Sequence, residues 1–209
     1  MSLSLEFPEK YIEYRGRPLA GTKTKRFPMD VRSFVWPKDK QVQRMAEAVT
    51  AEIDTNDEKA WAIQKFAVNN LKYVGDEKKG CPEFWLFPAE TLALRKCDCE
   101  DGGILIASML LSVLPEYEHH RVWVVAGLVK SGRGASTGGH AYCVYIRESD
   151  DRPVILDWCY YEDSEVGVGD KPSAFDNDNY IEAWFLFNHK ESRAPMNVAM
   201  DGRVSYGET

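Results

Sequence analysis

Nine residues in this 209-residue chain carry side chains suited to nucleophilic or proton-transfer chemistry at neutral pH: five cysteines and four histidines. The cysteines are Cys81, Cys97, Cys99, Cys143 and Cys159. Their number is odd, and the N-terminus MSLSLEFPEKYIEY has no apolar stretch of the signal-peptide kind. A reducing, cytoplasmic setting is therefore expected, with no disulfide framework. Each thiol is then a small packed side chain, a metal ligand or a reactive group. A cysteine nucleophile needs a base within hydrogen-bond reach and a group that orients that base.

The nucleophile also needs a lowered pKa, and of the five cysteines Cys99 is the best placed for one. Asp98 is an N-cap candidate for the apolar run that follows, which puts Cys99 at the positive end of a helix dipole, where a thiolate is favoured. The neighbouring acids Asp98, Glu100 and Asp101 oppose this, because negative charge raises a thiol pKa. Among the histidines, His119 and His120 follow two glutamates and read as solvated surface residues, and His189 reads as structural. His140 opens a strand directly after GASTGG, whose small residues let other groups approach.

The orienting group follows from strand geometry. His140–Arg147 and Pro153–Trp158 read as a hairpin around the turn 148–152. With the turn centred between Glu148 and Ser149, His140 and Asp157 face each other; centred one residue later, they lie diagonally. Both registers leave the two side chains on one face, within interaction range. Cys99, His140 and Asp157 thus form a candidate triad, with the thiol on a helix and the base and its orienter on a sheet. Papain-like enzymes share this division of labour.

The elements that would hold these groups follow from periodicity. The first 36 residues are broken by Pro and Gly, with strand candidates at Lys10–Tyr14 and Arg32–Trp36, and read as an arm packed on the core. Residues 37–209 read as one catalytic domain. Helices are expected over Pro37–Ile53, from an Asn56 or Asp57 cap to about Leu71, and from Asp98 through the apolar run ILIASMLLSVL. Residues 74–90 read as a loop, and Gly132–Gly139 as a flap beside His140. Gly102 and Gly103 weaken the helix they sit in, unless another backbone approaches closely. Strands are expected at Arg121–Val129, at the two hairpin arms and at Tyr180–Phe187. Helices followed by an antiparallel sheet make an α+β fold.

Composition bounds the partners. The chain is 44% apolar and 28% charged, with a net charge of −7, which speaks for a soluble globular protein and against a nucleic-acid binder with its basic stripe. No apolar run approaches the ~20 residues of a membrane span.

The segment FWLFPAETLALRKCDCEDGGILIASMLL resembles the transglutaminase-like superfamily, and within it the bacterial transglutaminase-like cysteine proteinases. Trp85, Pro88, Glu90 and Thr91 lead to Asp98-Cys99-Glu100-Asp101, and then GGHAYCVY and VILDW are similar to the family's histidine and aspartate strands. The upstream FAVNNLKYVGD is similar to its helix-to-loop entry, so the likeness spans about Asp57 to Tyr160. Asp-Cys-Glu-Asp alone is a weak motif; its order and separation from His-Ala-Tyr and Leu-Asp-Trp make the signal specific. The resemblance implies a papain-like α+β fold with the central cysteine helix packed on an antiparallel sheet. It implies Cys99 as nucleophile, His140 as general base and acid, and Asp157 as its orienter. The reaction implied is attack on an amide through a thioester, on a protein or peptide substrate. Water as acceptor gives hydrolysis; an amine gives transglutaminase-type transfer; a non-catalytic interaction module is the third alternative.

No cofactor is required by this chemistry. In one branch of the family acidic residues beside the cysteine bind calcium, and Asp98 and Glu100 resemble those positions; helix capping is the competing role. One departure is Cys97, which stands where the family has glycine, and is either packed or a redox partner of Cys99. A zinc site from Cys81, Cys97, Cys99 and a histidine has the unusual Cys-x-Cys spacing against it. Cys99 N–H is an expected oxyanion donor, with Gln64, Asn69 and Trp85 as candidate side-chain partners. The aromatics of Phe84–Phe87 with Tyr160, Tyr161 and Trp184 are candidate cleft walls.

Overall fold

Short pairings at the N-terminus lead into a helical layer, and the helices lie on an antiparallel sheet. The computed structural model describes residues 5–17, 25–75, 83–130 and 136–195. Glu13–Tyr14 (β1) pairs antiparallel with Met29–Asp30 (β2). A 3-10 turn follows at Val31–Phe34, in place of the expected strand Arg32–Trp36. The Asp30 carboxylate caps this turn by accepting from Arg32 N–H, which starts a helical turn where β-branched and aromatic residues alone suggest a strand. Ile12, Tyr14, Val31, Phe34 and Val35 are all buried in the same core as the central helix.

Helix α1 runs Lys40–Val49, shorter at both ends than the sequence pattern suggests. Asp39 Oδ1 accepts from the N–H groups of Gln41 and Val42 at 2.8 and 3.1 Å and fixes the start. Helix α2 runs Asn56–Asn70, and its cap is Thr55, one residue earlier than expected. Lys72–Tyr73 (β3) pairs in parallel with Lys96–Cys97 (β4). Between them lies α3, Pro88–Leu94, at the end of a stretch expected to be loop. Pro88 at its first position and Glu90 bonding back to Phe87 N–H at 2.7 Å are ordinary helix-start chemistry.

Helix α4 runs Cys99–Val113, and every residue from Glu100 to Leu111 is buried. A helix apolar on all sides must be covered on all sides. Trp36 N–H reaches Ser108 Oγ at 3.1 Å on one side, and the sheet covers another. The sheet contains Val122–Lys130 (β5), Thr137–Ile146 (β6), Pro153–Leu156 (β7), Tyr180–Phe187 (β8) and Ser192–Arg193 (β9). Its order is β7-β6-β5-β8-β9, antiparallel throughout. The α+β expectation is met, with the cysteine helix against an antiparallel sheet.

The two glycines of α4 have separate causes. A Cβ on Gly103 would sit 3.3 Å from the Tyr142 carbonyl carbon, so Gly103 lets α4 lie against the β6 backbone. A Cβ on Gly102 would fall 2.1 Å from Trp158 Nε1, so this one makes room for a side chain. Within Phe84–Phe87, Trp85 and Leu86 are core rather than cleft, while Phe84 and Phe87 are half-buried against it. Trp85 is wholly buried, with ring centroids 4.7 Å from Tyr14, 5.2 Å from Phe34 and 5.8 Å from Phe187.

Candidate active site

Cys99 is the first residue of α4, with Asp98 as the N-cap, in the place the sequence assigns to both. The Cys99 thiol donates to Glu100 Oε2 at 3.2 Å. Its pKa is pushed well above the usual thiol value, first by burial and then by the charge of Glu100 and the neighbouring Cys159. The backbone N–H of Ala141 bonds the sulfur and works the other way. Burial and the acids therefore act against the helix dipole at this position.

That Ala141 contact brings Cys99 to β6, one residue beyond His140. The strand starts at Thr137, so His140 lies inside it rather than opening it, and Thr137–Gly139 of the expected flap belong to the strand. The rest of that flap, residues 131–135, lies outside the described residues. His140 is 1% exposed. Its ring is flanked by Tyr160 at 4.5 Å and Tyr142 at 5.9 Å between centroids.

The hairpin takes the diagonal register. Cys143 faces Leu156 and Tyr145 faces Val154, which centres the turn between Ser149 and Asp150. Asp157 follows directly after β7, wholly buried, and its Oδ2 lies 2.6 Å from His140 Nε2. Tyr180 O–H donates to the same oxygen at 2.8 Å. Oδ1 accepts from Cys159 N–H at 3.1 Å and Tyr160 N–H at 3.3 Å. Burial alone would raise the Asp157 pKa; the His140 charge and hydrogen bond, with the other donors, bring it below the usual carboxylate value. An ionised Asp157 can only accept, so His140 carries its proton on Nε2. In the neutral ring Nδ1 holds the lone pair, and it is buried with no hydrogen-bond partner among the described residues.

Two side chains brace this arrangement from other elements. Trp158 Nε1 donates to the Cys99 carbonyl at 3.2 Å, tying the strand end after Asp157 to the first turn of α4. Gln64 on α2 donates from Nε2 to the Asp157 carbonyl at 2.7 Å and the Glu162 carbonyl at 2.6 Å. Both amide hydrogens of Gln64 are thus committed to carbonyls, which removes it as an oxyanion donor. Trp85 is removed by its burial in the core, and Asn69 is exposed on α2. Tyr160 is 40% exposed and lies over His140, as a cleft wall would. The role of Tyr180 is not legible in the sequence, since nothing in its strand pattern names a partner 23 residues away.

The other cysteines separate as well. Cys97 and Cys143 are buried, and Cys81 lies outside the described residues. Cys159 is half-buried and its sulfur lies within 4.8 Å of both a His140 nitrogen and an Asp157 oxygen. Burial and the Asp157 charge push its thiol pKa upward. Among the described residues, neither cluster of metal-ligand type contains two cysteines, so the zinc arrangement of Cys97 with Cys99 has no support there.

The second such cluster is Asp98, Glu100 and Asp101, one oxygen of each within 4.8 Å of the others and all three buried. Asp101 Oδ1 accepts from Leu86 N–H at 2.6 Å, and Asp98 and Asp101 cap the helix reciprocally. Capping and cation binding therefore use the same residues. The Asp98 pKa is pushed up to about 12, by burial and then by the charges of Glu100 and Asp101. Closely spaced carboxylate oxygens are hard donors of the kind that suits calcium.

The sequence profile of the transglutaminase-like domain matches residues 40–160, more than half of the chain. No curated protein matches it. Among solved structures, Legionella pneumophila LapG is similar at 17% identity, over 74% of this chain and 86% of that one, with a TM-score of 0.44. Calcium-bound LapG is similar at 17% identity over 78% and 93%, with a TM-score of 0.47. A candidate cysteine protease from Cytophaga hutchinsonii is similar at 17% identity over 59% and 38%, with a TM-score of 0.43.

Proposed function

Since this chain belongs to the transglutaminase-like domain family, we propose that it is a cysteine-dependent hydrolase that cleaves a peptide amide through a thioester on Cys99. The observation that carries this reading is the wholly buried His140–Asp157 hydrogen bond of 2.6 Å, which leaves the His140 Nδ1 lone pair for another group. Ala141 N–H on the Cys99 sulfur brings the thiol to the same strand.

The steps follow from these roles. Cys99 gives its proton to His140 Nδ1 as its sulfur attacks the amide carbon. The imidazolium formed is stabilised by the ionised Asp157, which the donors on both of its oxygens keep in place. The oxyanion is received by the Cys99 backbone N–H at the start of α4. On collapse, His140 returns the proton to the leaving amine, and the acyl group stays on sulfur. Water then attacks the thioester with His140 as base, and Cys99 leaves as the thiol.

Asp98, Glu100 and Asp101 fit a calcium ion by donor type and spacing. Bound there, it would supply positive charge beside Cys99 and offset the acids that raise its thiol pKa.

The test is release of new N-termini from an unfolded protein mixture, with intact mass measured during turnover. Expected are an acyl adduct on Cys99 and no release by Cys99→Ala. Equal release by wild type and Cys99→Ala would sink the proposal. Incorporation of an added primary amine in place of hydrolysis would move it to the transferase reading.

A further inference from the structure

His119 and His189 face each other at the end of α4 far from Cys99. His119 belongs to the 3-10 turn Glu116–Arg121, and His189 to the turn between β8 and β9. Fifteen residues of α4 at 1.5 Å each put about 22 Å between this end and the Cys99 end. Both histidines are half-buried rather than solvated, against the surface reading of His119. They border a cavity of about 280 Å³ that Glu116 and Lys190 also line.

We propose that His119, His189 and Glu116 form a binding site for a borderline divalent cation of the zinc type, separate from the catalytic centre. The first argument is the spacing. His119 Nδ1 and His189 Nε2 are 3.3 Å apart, with the rings inclined at 74°. Two nitrogens bonded at about 2.05 Å to one tetrahedral ion stand about 3.3 Å from each other.

The second argument is the tautomer. His119 Nε2 lies 3.2 Å from the Leu114 carbonyl, so that nitrogen carries the proton and Nδ1 offers its lone pair. A ligating imidazole held by a backbone carbonyl through its other nitrogen is the usual outer support of a metal site. In the ion-free pair, His189 Nε2–H donates to His119 Nδ1. On binding, the ion takes the place of that shared proton, which moves to Nδ1 of the His189 ring, so both ligands stay neutral.

The third argument is the supply of a further ligand. Glu116 precedes His119 by three residues, one full turn of a 3-10 helix, so it rises from the same side of the turn, although its carboxylate does not lie within 4.8 Å of both nitrogens as it stands. Its carboxylate is mostly exposed and is paired with Lys190 Nζ at 3.0 Å. An exposed, solvent-screened ion pair of this kind contributes little, so the carboxylate can turn from Lys190 to an ion at the two nitrogens. Such an ion would clamp the turn after α4 to the end of the sheet.

The test separates this site from the thiols. The full chain carrying Cys99→Ala, stripped with chelator, is titrated with zinc chloride by calorimetry. One equivalent is expected, weakened at least tenfold by His119→Ala or by His189→Ala and severalfold by Glu116→Gln. Circular dichroism establishes that each ion-free variant is folded. If a histidine variant does not fold, the cobalt spectrum of the parent decides instead: tetrahedral visible bands without a thiolate charge-transfer band support the site. No binding by the parent, unchanged binding by both histidine variants, or a thiolate band would overturn it.

Discussion

His140 Nε2 and Asp157 Oδ2 lie 2.6 Å apart although the two residues are offset by two positions across the β6–β7 ladder. The offset is bridged because Asp157 has left the strand and its carboxylate is gathered by Tyr180 and by the N–H groups of Cys159 and Tyr160. The hydrogen bond is therefore set by the chain beyond β7 as much as by the hairpin.

Asp157→Asn is expected to lower turnover by about 10³–10⁴, since an amide can hold His140 in the wrong tautomer and cannot stabilise the imidazolium. Stability carries a pH signature. The folded Asp157 pKa is below the unfolded value of about 3.9. Its contribution is thus fully present above that value and is lost as pH falls through the lower folded pKa. Urea unfolding of wild type and variant should differ most near pH 7 and converge in acid. A gap that widens below pH 4 would contradict the assignment.

Tyr180→Phe removes one hydrogen bond to Asp157 Oδ2 and keeps the ring, whose centroid is 4.5 Å from that of Tyr142. A loss of about 0.5–1.5 kcal/mol in stability is expected. Turnover should fall severalfold with KM unchanged, as for a residue that positions the triad without touching substrate. A change in KM alone would assign Tyr180 to substrate binding instead.

Glu100 is the largest charged influence on the Cys99 thiol and lies in hydrogen-bond contact with it. Glu100→Gln removes that charge and should lower the Cys99 pKa, so iodoacetamide alkylation of Cys99 near pH 7 should quicken. Calcium should act in the same direction on wild type, raise its melting temperature, and do neither on Asp98→Asn. Mass-resolved alkylation rates across pH 6–10 read this out. An unchanged Glu100→Gln rate would show that burial alone governs the thiol.

The sequence is most legible where one local rule decides. The apolar run after an acidic cap fixes α4, and an aromatic run marks β8 at the expected residues. The hairpin parity argument keeps His140 and Asp157 on one face under either turn, so it tolerates an uncertain register. Legibility fails where a distant side chain decides. Tyr180 reaches Asp157 from β8, which neighbours neither β6 nor β7 in the sheet. Helix α3 had a local signal in Pro88 and Glu90, hidden by the Pro/Gly-rich stretch before it. Trp85 looks like a cleft aromatic in sequence, and only its stacking with Tyr14, Phe34 and Phe187 makes it core.

Gly102 offers the sharpest test of how Cys99 is held. A Cβ there would fall 2.1 Å from Trp158 Nε1 and 2.5 Å from Trp158 Cδ1, while the indole is 3% exposed and cannot swing into open space. Gly102→Ala gains up to about 1 kcal/mol of helix propensity, yet overpacking of this kind costs about 1–3 kcal/mol. A net loss is expected, together with loss of the Trp158 hydrogen bond to the Cys99 carbonyl and hence of turnover. Gly103→Ala meets the Tyr142 backbone at 3.3 Å, a few tenths of an ångström too close, and should lie nearer neutral in stability. Trp158→Phe in the Gly102→Ala background vacates the space of the Nε1 edge, so the double variant should recover part of the stability. Urea unfolding of the four proteins of that cycle measures the coupling directly. Strict additivity would mean that Gly102 is required for some reason other than the indole.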